Sequence, residues 1–203
     1  MAVFPLTLIL GAYLLGAIPF GYLIVRWTQG EDIRRSGSGN IGATNVFRSA
    51  SKLGGVATLL LDAGKGYLAV WAVGRLVDGP GQGWAVAAAL AAIAGHVFPV
   101  FLRFRGGKGV AVGCGAYLAL SPEAVLCALA VFGVVVAVSR YVSLGSILAA
   151  VAYPVWAYVF GASRAGVLGG VAGAILIVLK HRDNIRRLFQ GNEHKLAASG
   201  KPG

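Results

Sequence analysis

The sequence predicts an all-α, polytopic integral membrane protein, and three observations support this fold class. Of the 203 residues, 57% are hydrophobic and only 12% are charged, whereas a soluble domain carries about 25% charged residues. Apolar runs near the roughly 20 residues that a spanning helix needs recur along the whole chain. No polar block reaches domain size, so a single membrane-embedded domain is predicted over residues 1–194, with a disordered tail over 195–203.

Six apolar runs follow one another, at 3–25, 54–77, 84–102, 110–138, 142–160 and 165–179. The first has no basic segment before it and no small-residue cleavage site, so it is interpreted as a retained span. Cys114 and Cys127 both lie within apolar runs, where they are expected to be packing residues rather than half-cystines or metal ligands.

The run at 110–138 contains Ser121-Pro122 in its middle, and charge counting favours two helices there rather than one. With a break at this point the chain has seven transmembrane helices, two of them short, and 15 of its 18 Lys and Arg lie on one side. By the positive-inside rule that side is the cytoplasm. The prediction therefore places the N-terminus outside and the C-terminus inside. The basic excess is first a topology signal, so no nucleic acid partner is expected.

The first polar cluster is SGSGNIGATN, residues 36–45, directly after the first span. Its glycine spacing matches the dinucleotide-binding pattern, but that fingerprint needs a strand before it and a βαβ unit around it. Glycines leave backbone amides free to form an anion-binding concavity, to which serine and asparagine add donors. A flexible interhelical loop is the alternative. The candidate residues are Ser36, Gly37, Ser38, Gly39, Asn40, Thr44, Asn45 and Arg48.

The second cluster, residues 103–109, opens directly onto an apolar run. Three glycines around a lysine at a helix N-terminus suit phosphate binding. It is not a Walker A loop, because Gly109 follows Lys108 where Ser or Thr would be needed. A positive-inside anchor is the alternative, although it leaves the glycines unexplained. The candidate residues are Gly106, Gly107, Lys108 and Gly109.

The third cluster, residues 180–188, follows the last span. On a helix His181 and Asn184 lie three residues apart on one face and can point together into a site. Arg182 and Glu193 are candidate supporting residues. A basic helix that binds lipid headgroups is the alternative.

Three ionisable residues lie inside apolar runs. Asp62 and Lys65 are one helix turn apart, and an intramembrane pair is expected either to support a site or to lock helices together. His96 is interpreted first as a buried core histidine. It is also retained as a candidate substrate-binding residue, because it lies close to the second cluster. The seven acidic residues form no group able to hold magnesium, so neither a metal nor a cofactor is expected.

The three clusters together resemble the bacterial acyl-phosphate:glycerol-3-phosphate acyltransferases of the PlsY type. The matching segments are SGSGNIGATN (36–45), FRGGKGVA (104–111), HRDNIRRLFQGNE (181–193), LDAGKG (61–66), GHVFPVF (95–101) and RYVSLGSI (140–147). Asp183 departs from the pattern, since glutamate is usual there. No histidine is followed five residues later by aspartate, the pattern of the acyl-CoA type.

The resemblance implies acyl transfer from acyl phosphate to position 1 of glycerol 3-phosphate at the cytoplasmic face of the bacterial plasma membrane. The implied partners are both substrates, membrane lipids and the enzyme that makes acyl phosphate. Direct transfer is expected, with a donor phosphate oxygen or His181 accepting the proton. A transporter of phosphate-bearing anions is the rival function. The residues that match the family's catalytic positions are Ser38, Arg48, Lys108, His181 and Asn184.

Overall fold

The structure, a computed structural model, describes residues 3–77 and 83–196. Within them every regular element is helical, which confirms the all-α prediction for this part of the chain. The helices are α1 (Val3–Ala17), α2 (Phe20–Gln29), α3 (Ala43–Ser49), α4 (Lys52–Leu76), α5 (Gly83–Val97), α6 (Val110–Leu118), α7 (Pro122–Ser139), α8 (Val142–Val159), α9 (Arg164–Lys180) and α10 (Arg182–Phe189). Single 3-10 turns at Ile33–Arg35 and Val100–Leu102 lie in the connections.

Five helical segments in the described residues are long and apolar enough to cross a membrane. They are α1 with α2, α4, α5 with the following turn, α7 and α8. A sixth is obtained if α9 and α10, which meet at 59°, form one bent span. The protein is therefore an integral membrane protein, whereas seven spans and the orientation of the termini stay predictions.

The first span is interrupted, a feature that was not predicted from the sequence. α1 ends at Ala17, and α2 begins at Phe20 and continues to Gln29, beyond the predicted end at residue 25. Pro19 explains the interruption, because proline lacks an N–H and its ring disfavours helical backbone at the residue before it.

The predicted break at Ser121-Pro122 is present. α6 ends at Leu118 and α7 begins at Pro122, where proline suits the first turn of a helix. α6 has only nine residues, but α7 has 18. The prediction that two helices would be short is therefore wrong for α7.

Helix α4 is the central helix of the bundle and packs against α1, α2, α3, α5 and α6. Its contact with α6 is close because glycines face backbone on both sides. A side chain at Gly66 would collide with the Val112 carbonyl, and one at Gly115 with the Ala63 carbonyl. Small residues at helix interfaces allow this approach in membranes. The short helix α6 is thereby held among its neighbours, with five of its nine residues buried.

The start of the predicted tail contacts the bundle. The Leu196 amide donates a hydrogen bond to the Arg140 carbonyl at 2.7 Å. The Lys195 ammonium lies 5.5 Å from the centre of the Tyr141 ring. Residues 197–203 lie outside the described part of the chain, so the tail prediction stays a prediction there.

We expect Gly66→Ala to lower the melting temperature of the purified protein, because the added methyl group meets the Val112 backbone. Overpacking of this kind costs about 1–3 kcal/mol. The matched control is Gly64→Ala on the same helix, where an added methyl group meets nothing within 4 Å. Equal melting temperatures for the two variants would contradict the close contact between α4 and α6.

Candidate functional site

Two hydrogen bonds connect the second cluster to the third, and the first cluster to the segment that follows the third, at one end of the bundle. The Lys108 ammonium of the second cluster donates to Asn184 Oδ1 of the third at 2.5 Å. The Arg48 guanidinium of the first cluster donates to the His194 carbonyl at 3.4 Å. The first of these bonds joins residues that are 76 positions apart in the chain, and the second joins residues that are 146 positions apart. We therefore treat the three clusters as one candidate site.

The loop of the first cluster is built around the buried side chain of Asn45. Its amide nitrogen donates to the carbonyls of Ser36 at 3.0 Å and Asn40 at 2.8 Å. Its Oδ1 atom accepts from the Ser38 amide at 2.9 Å and the Ser49 hydroxyl at 3.3 Å. Asn45 therefore uses its polar atoms to shape the loop rather than presenting them to solvent.

The exposed groups of this loop are set by two glycines with left-handed backbone. Gly37 has φ +58° and Gly39 has φ +70°, conformations that glycine adopts without steric cost. A side chain at Gly37 would also collide with the polar atoms of Asn45 and Ser49. The loop presents Ser38 to solvent between these glycines.

The rest of the first cluster leads into α3. Asn40 Oδ1 accepts a hydrogen bond from the Gly42 amide at 2.7 Å, just before α3 begins. Thr44 and Arg48 are both exposed on that short helix. Ser38, Thr44 and Arg48 are thus the groups of this cluster that remain available to a ligand, whereas Asn40 and Asn45 organise the backbone.

The glycine loop of the second cluster lies directly on His96. The Gly107 amide donates to the His96 carbonyl at 3.0 Å. Side chains at Gly106 and Gly107 would collide with the His96 carbonyl and imidazole, respectively. Gly109, with φ +82°, is the N-cap residue of α6. Gly106 and Gly107 are therefore needed for close packing against His96. This packing explains glycines that the positive-inside alternative had left unexplained.

The ammonium of Lys108 is half-buried between the second and third clusters. Burial lowers the pKa of Lys108 to about 8, with the Arg187 and Arg48 charges acting in the same direction and the Glu193 carboxylate against it. The group is therefore a cation at neutral pH that loses its proton more readily than an exposed lysine.

The Glu193 carboxylate organises the third cluster. It accepts hydrogen bonds from Asn184 Nδ2 at 2.6 Å, from the Ser143 hydroxyl at 2.8 Å and from Arg187 Nε at 2.7 Å. Burial alone would raise the pKa of Glu193, but these three donors outweigh it and lower that pKa. A charged Glu193 thereby orients the Asn184 amide so that its oxygen faces Lys108.

Two members of this network, Ser143 and Arg187, were not predicted from the sequence. Arg187 lies three residues after Asn184 on α10, a helical spacing that could have indicated a shared face. Ser143 belongs to a segment that resembled the family, but only the packing of α8 shows its partner.

His181 is buried at the junction of α9 and α10. Its Nδ1 atom lies 2.8 Å from the Ile177 carbonyl. Because a carbonyl can only accept, this contact assigns the proton to Nδ1. In the neutral imidazole Nε2 then carries the lone pair.

The intramembrane residues form a buried cluster beneath the second loop. The Lys65 ammonium lies 2.8 Å from Asp62 Oδ1 and 3.2 Å from His96 Nδ1. It also donates to the Ile18 carbonyl at 2.6 Å, where Pro19 interrupts the first span. His96 is buried, in agreement with its interpretation as a core histidine, and it touches the glycine loop.

One predicted supporting residue lies apart from the site. The Arg182 side chain is 84% exposed, and its ion pair is with neighbouring Asp183 at 3.9 Å. Asp183 is itself 76% exposed, so the departure from the usual glutamate lies on an open surface.

The exposed and half-buried groups of the site suit a phosphate-bearing ligand. Arg48 and Lys108 supply positive charge, and charge-assisted hydrogen bonds to phosphate are stronger than neutral ones. Fold and site together define an integral membrane protein with a basic candidate site at one end of its helical bundle.

The chain belongs to the glycerol-3-phosphate acyltransferase family, whose sequence model matches residues 6–191. Three curated relatives carry that family name. The protein from Syntrophotalea carbinolica is 49% identical over 192 residues, covering 94% of this chain and 97% of its own. That from Geobacter sulfurreducens is 47% identical, covering 92% and 95%. That from Anaeromyxobacter sp. strain Fw109-5 is 43% identical, covering 94% and 96%.

Two solved structures of PlsY, an integral membrane glycerol 3-phosphate acyltransferase, have the same fold. The glycerol 3-phosphate form superposes with a TM-score of 0.90 at 39% identity, covering 95% of this chain and 96% of that one. The lysophosphatidic acid form superposes with a TM-score of 0.86 at 37% identity, covering 95% of each chain. These matches confirm the resemblance to the PlsY type.

We expect Glu193→Gln to destabilise the protein. The NH2 group of the new amide cannot accept a hydrogen bond, although the groups around it are all donors. Leaving such groups without an acceptor costs about 1–3 kcal/mol. The matched control is Asp183→Asn, which removes the same charge from an exposed position. Thermal unfolding in detergent compares the two, and a wild-type melting temperature for Glu193→Gln would contradict the organising role of this carboxylate.

Proposed function

We propose that the protein transfers a fatty acyl group from acyl phosphate to the sn-1 hydroxyl of glycerol 3-phosphate. The products are lysophosphatidic acid and inorganic phosphate. The observation that carries this proposal is the contact between Lys108 and Asn184, which unites the second and third clusters in a chain of this family. The relatives' names and the ligands of the two PlsY structures support the acceptor and the product.

In the proposed mechanism two substrate phosphates are held close together despite their mutual repulsion. Arg48, Lys108 and the Ser38 hydroxyl would supply positive charge and hydrogen bonds. The Gly37 amide would add a donor, whereas the Gly39 and Gly107 amides donate to backbone carbonyls and would act through the shape of the two loops. Positioning and electrostatic stabilisation then supply most of the rate. Asn45 and Asn40 would act through the shape of the first loop.

Acyl phosphate is a mixed anhydride and is already activated. The acceptor hydroxyl attacks the acyl carbon, the bond from that carbon to the phosphate oxygen breaks, and phosphate leaves without needing protonation. Its oxygen can take the hydroxyl proton. The lone pair on His181 Nε2 is the alternative base, and otherwise His181 and Asn184 orient glycerol 3-phosphate.

We further propose seven spans in the bacterial plasma membrane, with the site on the cytoplasmic side. The contacts of Lys108 and Arg48 with the third cluster and the segment after it support placing all three clusters on one side. In this topology the short helix α6 counts as a crossing despite its nine residues.

Topology is tested by single cysteines placed at residues 81 and 192 after Cys114 and Cys127 are replaced. In sealed membranes an impermeant thiol reagent applied outside should label position 81 and leave position 192 unlabelled. Labelling of both positions from the same side would contradict the seven-span arrangement.

The activity is tested with purified protein, acyl phosphate and glycerol 3-phosphate. We expect lysophosphatidic acid, and no product when acyl-CoA replaces acyl phosphate.

Lys108→Ala should lower turnover at least about 100-fold, the scale for loss of one preorganised electrostatic group. The exposed Lys52→Ala is the charge-matched control. An acyl-enzyme trapped at Ser38 would contradict direct transfer, and anion uptake without product would favour the transporter.

The rate should also depend on the charge of Lys108. Its pKa is lowered to about 8, so raising the pH through 8 removes the cation from the free enzyme. We expect kcat/KM for glycerol 3-phosphate to fall about tenfold per pH unit above this point. Lys108→Arg keeps its charge at these pH values and should lose the alkaline decline even if its rate is lower. Persistence of the decline in that variant would assign it to another group.

A further inference from the structure

A basic hollow of about 520 Å³ lies beside the candidate site at the same end of the bundle. Its cations come from three separate segments: the turn after α2, the second loop and the end of α9. Gly39 and Gly106 form part of its wall. The lining cations are Arg34, Arg35, Arg105 and Lys180.

The lining of this hollow carries more positive than negative charge. Among the described residues Asp32 is the one acidic lining residue, and Arg34 binds it through contacts of 2.6–3.2 Å. The hydrogen bonds from Arg34 lower the pKa of Asp32 to about 2, so this carboxylate is ionised at neutral pH. Within the described residues Arg35, Arg105 and Lys180 form no ion pair with a carboxylate. Three cations that line one hollow without a carboxylate partner favour binding of an anion.

An unusual backbone turn positions one wall of the hollow. Arg103 and Phe104 have φ +53° and +61°, left-handed values that cost energy for residues with side chains. The Phe104 amide donates to the Pro99 carbonyl at 2.9 Å and the Arg105 amide to the Leu102 carbonyl at 3.2 Å. The turn directs Phe104 and Arg105 to the hollow.

The surroundings indicate where the anion comes from. Phe98, Phe101 and Phe104 are 42%, 60% and 59% exposed at the end of the α5 span. Such exposed apolar rings suit contact with lipid, and Trp27, 77% exposed near the end of α2, is of a residue type that is enriched at the boundary between the bilayer and water. The Lys180 ammonium lies 5.1 Å from the centre of the Phe98 ring. The hollow is therefore at the depth of lipid headgroups.

We propose that this hollow binds the phosphate of an anionic phospholipid headgroup, at a site separate from the acyl-transfer residues. Its lining includes none of the five proposed catalytic residues. The proposal depends on membrane embedding and not on the proposed reaction. Gly39 and Gly106 are chain neighbours of Ser38 and Gly107, so an occupied hollow would contact both loops of the site.

The test uses the full-length protein in phosphatidylcholine nanodiscs with increasing fractions of phosphatidylglycerol, and native mass spectrometry to count bound phosphatidylglycerol. We expect the double variant Arg35→Gln/Arg105→Gln to bind this lipid about 25-fold more weakly, a factor of about five for each cation near a membrane surface. Arg75→Gln/Arg164→Gln is the control with the same charge change, because these residues lie at the other ends of α4 and α9. Lys180→Gln should weaken binding about fivefold. This single variant replaces the double variant in the test if the double variant fails to fold.

Several outcomes would overturn the proposal. The proposal fails if lipid binding is unchanged in the variants of the hollow, or if the control variant loses as much binding. Either result would attribute lipid binding to general attraction by a basic surface. Displacement of the lipid by inorganic phosphate at equal concentration would assign the hollow to free phosphate. Loss of binding in Lys108→Ala would place the lipid in the acyl-transfer site. Phosphatidylglycerol binding that survives Lys108→Ala supports a separate site, whether or not that variant is active.

Discussion

A single buried ammonium group, Lys65 Nζ, connects the transmembrane helices to the polar end of the protein. It contacts Asp62 on its own helix, the Ile18 carbonyl in the interrupted first span and His96 on α5. His96 in turn supports the glycine loop that carries Lys108. A buried charge without such partners would be very costly, so these segments are constrained to meet, and the second cluster is positioned from inside the bundle.

A buried carboxylate, Glu193, plays the corresponding role at the polar end of the bundle. Glu193 joins α8 through Ser143, joins α10 through Asn184 and Arg187, and thereby orients the Asn184 oxygen toward Lys108. Few polar side chains of the candidate site are thus left available to a ligand. Most of its polar side chains bind other protein groups, and this leaves Ser38, Thr44 and Arg48 exposed and Lys108 half-buried. Such preorganisation is what electrostatic stabilisation of a transition state requires.

Features with a local cause could be predicted from the sequence. Composition indicates membrane embedding, and Pro122 together with the charge count locates the break before α7. Pro19 is a similar indication of an interruption in the first span. Because the apolar run there has the length of one spanning helix, a single uninterrupted span was predicted. Partners that depend on how distant helices pack could not be predicted. The inward orientation of Asn45, the contact of Ser143 with Glu193 and the exposure of Arg182 all belong to this group, because no spacing along the chain encodes them.

The depth of the charged groups determines how the protein responds to ionic strength. Mobile ions screen charges at the surface within about 8–10 Å at physiological salt, but they act much less on buried pairs. The Asp62–Lys65 pair, with side chains 2% and 1% exposed, is therefore largely insensitive to dissolved salt. The attraction of exposed Arg48 for an anion is screened. Salt would thus weaken capture of a charged substrate while leaving the helix contacts intact, so loss of activity at high ionic strength need not indicate unfolding.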